Sequence, residues 1–275
     1  MGLNTSHDKA AADPTDTIDV VTDTLDYEIL GAGPGLVLIH GTGSTGIGSW
    51  GTVVEALAAE HTVLLPNLPG SGASPLPDGA LQIEVIADQV VATAQKAGLE
   101  SFALAGASLG AATAIKVAAR HPERVLALAT VAGYAHLRPT LRLNLELWAA
   151  MQARGDADLG KLLVSLSFSE RYLATVPTEV LEQIIAQFAG DRSPGTEAQI
   201  AFTLGIDVRC DLGTVRAPTL IVAPTEDRFV APEHSAELAA GIPGAQRTDI
   251  TGGHASIFED PQQTQRVLLD FLSQS

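Results

Sequence analysis

The run Gly106-Ala107-Ser108-Leu109-Gly110 separates a short apolar stretch, residues 101–105, from a small-residue helical stretch, residues 111–120. A serine flanked by glycines between a strand and a helix sits in a bend too tight for ordinary neighbours. The bend lifts the serine hydroxyl above the sheet, at the positive end of the helix that follows. The pattern requires a buried strand that runs directly into a helix.

The rest of the chain repeats that unit. Residues 36–39 form a continuous apolar run, as expected of a strand covered on both faces. Residues 18–24 and 27–30 read as paired strands, and the glycines from Gly31 to Gly35 as a turn. A helix is predicted over 50–60, a strand over 61–65, a loop from Pro66 to Gly72, and a helix over 81–97 that stops at Gly98. Strands follow at 125–131, 219–223 and 246–250, and helices at 232–240 and 261–272. This alternation predicts an α/β fold: a mainly parallel sheet with helices on both faces.

One stretch departs from it. From residue 134 to 208 the patterns are helical only. Leu141, Leu145, Trp148 and Met151 fall on one helical face, and 159–168, 178–189 and 196–204 are further apolar-periodic segments. The expected organisation is an unstructured lead-in over 1–16, an α/β core over 17–133 and 209–275, and an all-helical insertion over 134–208.

Composition narrows the partners. Lys and Arg number 16 against 32 Asp and Glu, a formal charge of −16, and Asp8, Asp13, Asp16, Asp19, Asp23, Asp26 and Glu28 crowd the start. Such a surface repels phosphate backbones, so nucleic acid is not expected as a partner. A single cysteine, Cys210, excludes an intramolecular disulfide and reads as a buried thiol near a strand start. Met1-Gly2 with Ser6 matches the short myristoylation pattern, but no basic patch follows it. No run approaches the ~20 apolar residues of a membrane span. The reading is a cytoplasmic protein with no membrane partner, no metal and no cofactor, acting on a small molecule as a monomer or homodimer.

A serine nucleophile needs a base, and the base an orienting acid. His254, in Thr251-Gly252-Gly253-His254 between the last strand and the last helix, is placed to fold back over the sheet edge. His121 reads as a helix-end residue, and His136 and His234 as surface or structural ones. Asp227 is the expected acid, with Glu226 as the rival; the loop after 125–131 offers no carboxylate. An oxyanion is held by backbone N–H groups. Leu109 is the first expected donor. Thr42, then Gly43, are the choices for the second, from the loop His40-Gly41-Thr42-Gly43-Ser44-Thr45-Gly46. His40 reads as a prop for that loop.

These landmarks, with Gly70-Ser71-Gly72-Ala73-Ser74, Pro232, Glu259 and Pro261, resemble the α/β-hydrolase superfamily from about residue 18 to 272. The resemblance places the family's triad on Ser108, Asp227 and His254, and implies that the insertion is the cap over the substrate pocket. Trp148, Met151, Phe168, Phe188 and Phe202 are then expected pocket residues, and Arg138, Arg142 and Arg171 are possible partners for a substrate carboxylate. Asn67 departs from the pattern, since many relatives carry aspartate there; a changed loop contact is expected.

The resemblance also sorts the chemistry. Relatives that open epoxides or displace halide use aspartate at the position of Ser108. The serine points to a hydrolase of a small apolar ester, lactone or thioester, working through an acyl-enzyme. The His40–Gly46 loop resembles that of C–C hydrolases of ring-fission diketones, but those relatives place tryptophan after the histidine, where this chain has Ala255. A ligand-binding or non-hydrolytic protein that retains the triad is the reading from a different class.

Overall fold

The computed structural model of the chain describes residues 24–190 and 194–274. The first half of the core runs β1 (Tyr27–Leu30), β2 (Gly35–Ile39), α1 (Gly46–Trp50), α2 (Val54–Ala58), β3 (Thr62–Pro66), α3 (Ile83–Lys96), β4 (Phe102–Ala107), α4 (Leu109–Arg120) and β5 (Val125–Val131). Helices α5 (Pro139–Arg154), α6 (Leu159–Ser167), α7 (Glu170–Leu173), α8 (Thr178–Gly190), α9 (Pro194–Leu204) and α10 (Arg209–Leu212) follow. The second half is β6 (Thr219–Pro224), α11 (Pro232–Gly241), β7 (Gln246–Ile250), α12 (Ser256–Glu259) and α13 (Pro261–Leu272).

The strands form one seven-stranded sheet in the order β1-β3-β2-β4-β5-β6-β7. Only β1, on β3, is antiparallel. This is the mainly parallel, doubly covered sheet with a helical insertion that the alternation predicts. The continuous apolar runs have a simple cause: successive side chains point to opposite faces, and both faces are buried. Val37 and Ile39 join one core with α3 and α4, whereas Leu36 and Leu38 join the other with Trp50, Leu57 and Phe271.

The topology fixes where chemistry can occur. β4 lies centrally with β2 beside it, and Ile39 pairs with Gly106. The loop leaving β2 therefore starts next to the bend that holds Ser108. β6 and β7 end in register, Pro224 opposite Ile250, so the Asp227 and His254 loops leave the same sheet edge. Ligands bind at such carboxyl-terminal edges of parallel sheets.

The insertion leaves after β5 and returns before β6. Its two legs meet where Ala135 O accepts from the Val208 N–H at 2.8 Å, beside an isolated bridge between His136 and Asp207.

Some local expectations change. The helix predicted over 50–60 is two short helices, α1 and α2, broken at Gly51–Val53. Cys210 is exposed on α10, not buried at a strand start, because a helical turn intervenes before β6. The lead-in over 1–16, the acylation pattern at Gly2 and most of the strand over 18–24 lie outside the described residues. No helix among the described residues is long and apolar enough to cross a membrane.

Candidate active site

Ser108 sits between β4 and α4 at φ 55°, ψ −117°, a conformation that L-residues rarely adopt. The flanking glycines are required by contact. A Cβ on Gly106 would lie 2.1 Å from Gly110 O, and one on Gly110 would lie 2.2 Å from Ile39 O. The Leu109 amide opens α4 and has no hydrogen-bond partner among the described residues.

Asp227 and His254 are brought together by the ends of β6 and β7. His254 Nδ1 donates to Asp227 Oδ2 at 2.8 Å. Asp227 Oδ1 accepts from the Phe229 and Val230 amides at 2.9 and 2.8 Å, so the buried carboxylate is held on both oxygens. Its rival, Glu226, turns outward to Arg171 at 3.5 Å. The His254 ring stacks on Phe229 at 5.2 Å, and Phe229 meets Trp148 edge-on at 6.0 Å. Nε2 is left as the free ring nitrogen. Ser108 and His254 line the same cavity, though no hydrogen bond joins them. Such contacts are often loose until substrate is bound.

The other histidines are committed elsewhere. His40 is fully buried; its Nδ1 donates to Gly41 O at 2.7 Å, and its Nε2 accepts from the Leu68 N–H at 2.8 Å. It props two loops, as expected. His121, at the end of α4, pairs with Asp88, and His136 with Glu237. His234 is buried and accepts from the Arg138 N–H at 3.3 Å.

Burial holds His40 well below the ordinary histidine value, at about 4. The folded state therefore keeps it neutral while the unfolded chain takes up a proton. Its contribution is fully present above the unfolded value, 6.5, and is lost as pH falls from there to about 4. The expected loss is about 3 kcal/mol over that window. His234, also lowered by burial, adds with the same sign. Urea unfolding at pH 7 and pH 4 reads the loss, and His40→Gln should flatten the slope; an equal slope in the variant would remove His40 as its source.

The loop after β2 crosses in front of Ser108. A Cβ on Gly41 would touch Ser108 Cβ at 3.4 Å. The Thr42 amide has no partner among the described residues, whereas the Gly43 N–H donates to Gln199 Oε1 at 2.8 Å. Gly43 is thereby corrected as an oxyanion donor: its proton is already used. Thr42 remains. Thr203 donates its hydroxyl proton to Gln199 O at 2.7 Å, so the 2.9 Å contact between the Thr42 and Thr203 hydroxyls has Thr42 as donor.

The cavity measures about 460 Å³ and lies between the sheet edge and the insertion. Trp148, Phe168 and Phe188 line it. Met151 does not; it is buried in the core beneath α5. Phe202 does not either. It lies on the flank of α9 and faces a separate cleft with Leu81, Ile83 and Ile206. Tyr134, Leu145, Tyr172, Ile184 and Phe229 line the cavity without having been expected there from sequence. Only Leu145 carried a signal, its place in the helical stripe with Trp148. Burial raises the Tyr134 phenol above its ordinary value, so it stays a neutral hydroxyl. Arg138, Arg142 and Arg171 are absent from the lining, and among the described residues no carboxylate, ammonium or guanidinium belongs to it.

Asn67 has a local explanation. Its Nδ2 donates to Asp26 Oδ2 at 2.9 Å, and its Oδ1 accepts from the Gly46 N–H at 2.9 Å. Aspartate there would set two carboxylates against each other. Asp26 itself lies below the usual carboxylate range, held by the Ala73 amide and then by Asn67.

The family described as the alpha/beta hydrolase fold matches residues 34–261. The chain belongs to the α/β-hydrolase family. This hydrolase is 32% identical over 248 residues to pyrrolizixenacetamide deacetylase of Xenorhabdus hominickii, covering 90% of this chain and 93% of that protein. It is 32% identical over 253 residues to a candidate carbamate hydrolase, RutD, of Azorhizobium caulinodans, covering 89% and 93%. Among solved structures it is similar to the enol-lactonase from Burkholderia xenovorans LB400, with a TM-score of 0.81 and 25% identity over 90% of this chain and 96% of that one. The hydrolase is an enzyme of the α/β-hydrolase class, built on the sheet order described above.

Proposed function

We propose that the protein is a serine hydrolase that cleaves the acyl bond of a small, apolar, uncharged metabolite through an acyl-enzyme on Ser108. The observation that carries this reading is the Asp227–His254 hydrogen bond at the rim of the cavity that also holds Ser108. In this mechanism His254 takes the Ser108 proton as the oxygen attacks the substrate carbonyl. The Leu109 and Thr42 amides hold the oxyanion. His254 then protonates the leaving group and activates the water that releases the acid. Asp227 fixes the tautomer that leaves Nε2 free and stabilises the imidazolium.

The lining supports a reading of the substrate class. Among the described residues the wall carries aromatic, aliphatic and neutral polar groups and no charge, which favours a neutral ester, lactone or thioester, since an unpaired charge placed there loses its water without a partner. The enol-lactonase likeness supports the lactone end of that range. A second reading, cleavage of a C–N acyl bond, is favoured by the relatives named as an acetamide deacetylase and a candidate carbamate hydrolase. The same nucleophile, base and oxyanion donors serve both. Ring-fission diketones, for C–C cleavage, come next in a substrate screen.

The test is intact mass after treatment with a fluorophosphonate. A single adduct is expected on the wild type and none on Ser108→Ala. No adduct on the folded wild type would move the ligand-binding or non-hydrolytic reading ahead.

A further inference from the structure

Helix α9 turns a polar face inward. Thr196, Gln199 and Thr203 are all buried, at spacings of three and four residues on one side of the helix. Buried polar side chains are costly unless paired, and Gln199 and Thr203 pair with the loop in front of Ser108. The Gly43 N–H donates to Gln199 Oε1, and the Thr42 hydroxyl to Thr203. Among the described residues, the hydrogen bonds of Thr42 and Gly43 go to α9. The core holds the flanks of that pair, through Gly41 and Ser44 on Ser49 and Gly46 on Asn67.

Gln199 is itself fixed. Its Nε2 donates to Pro69 O at 3.0 Å and to Ser71 Oγ at 2.8 Å. The amide thus bridges the loop after β2 and the loop after β3. The helix start presses on that second loop: a Cβ on Gly195 would lie 1.9 Å from Gly70 O. The tip of the loop carries Gly43 with φ 67°, next to Thr42, and is not stiff by itself.

We propose that Gln199, assisted by Thr203, is a positioning residue that holds the loop after β2 in the shape that turns the Thr42 amide toward the serine. The insertion thus completes the oxyanion site as well as roofing the cavity. This inference rests on the acyl-enzyme reading above. Donors must meet the oxyanion at about 2.7–3.1 Å, and removing one costs about 10²–10³-fold in rate. A loop tip released from α9 loses that geometry in the transition state more than it loses ground-state binding.

The experiment uses p-nitrophenyl acetate turnover and the rate of fluorophosphonate labelling, both read well below the unfolding temperature. For Gln199→Leu, kcat and the labelling rate are expected to fall together by about 10- to 100-fold, with KM changed less than about threefold. Thr203→Val should lower both by a smaller factor, and Thr203→Ser, which keeps the hydroxyl, should restore them. A merely structural role would lower the unfolding temperature and leave the rate constants of the folded enzyme unchanged. Rates for Gln199→Leu within about twofold of wild type would overturn the proposal. If Gln199→Leu does not fold, the Thr203 pair decides, and equal rates for valine and serine overturn it. A wild type that takes no label defeats the acyl-enzyme reading, and this inference with it.

Discussion

Ser108→Ala is expected to lower turnover of activated esters by ~10⁴-fold or more while leaving the fold intact. The chemical half of that expectation follows from the Ser108 hydroxyl in a cavity also lined by His254, which a buried carboxylate holds. The structural half follows from what the hydroxyl does not do. Ser108 Oγ caps no amide of α4 and makes no hydrogen bond among the described residues, so its removal orphans nothing. The backbone strain remains in Ser108→Ala, because alanine is no freer than serine at φ 55°. Ser108→Gly should relieve it and unfold at higher denaturant than Ser108→Ala, by about 1 kcal/mol after the added chain entropy of glycine is counted. Both variants should be inactive. Turnover by Ser108→Ala close to that of the wild type would end the serine-nucleophile reading.

Gly106→Ala is expected to be severely damaging for a single added methyl, costing at least ~3 kcal/mol. The added Cβ would meet Gly110 O at 2.1 Å, Gly110 C at 2.3 Å and Ala111 N at 2.6 Å, all of them backbone. No rotamer change relieves such a contact; the first turn of α4 has to move, and Ser108 moves with it. Domains of this kind are stable by only about 5–15 kcal/mol. Gly98→Ala is the control. Gly98 has φ 86° and nothing within 4 Å of the added Cβ, so it should cost only about 1–2 kcal/mol of strain. Equal urea midpoints for the two variants would mean that backbone conformation, and not contact, governs the bend.

The His40 and Gln199 expectations concern neighbouring supports of one loop. His40 holds its base from beneath, and its test reads stability against pH. Gln199 holds its tip from the insertion, and its test reads rate. The two are separable because the residues approach from opposite sides, one from β2 and the other from α9.

Local chemistry made much of this protein legible in its sequence. The bend at Ser108 is written in glycine spacing, because steric exclusion acts between residues a few positions apart. The two-faced sheet is written in unbroken apolar runs such as Leu36–Ile39, because burial on both sides removes any need for alternation. His254 could be singled out from its place between the last strand and the last helix. What the tertiary structure decided are pairings across long sequence separation, which have no local signature. Which of Glu226 and Asp227 faces His254 depends on which side of a short loop meets Arg171. Phe229 joins the site only because it stacks under the imidazole. The segment over 196–204 reads as apolar, yet Thr196, Gln199 and Thr203 form its working face, since a polar side chain looks the same in sequence whether water or a buried amide is its partner. Gly43 and Thr42 are adjacent and chemically alike on paper. Only the docking of α9, which takes the proton of one and leaves the other free, tells them apart.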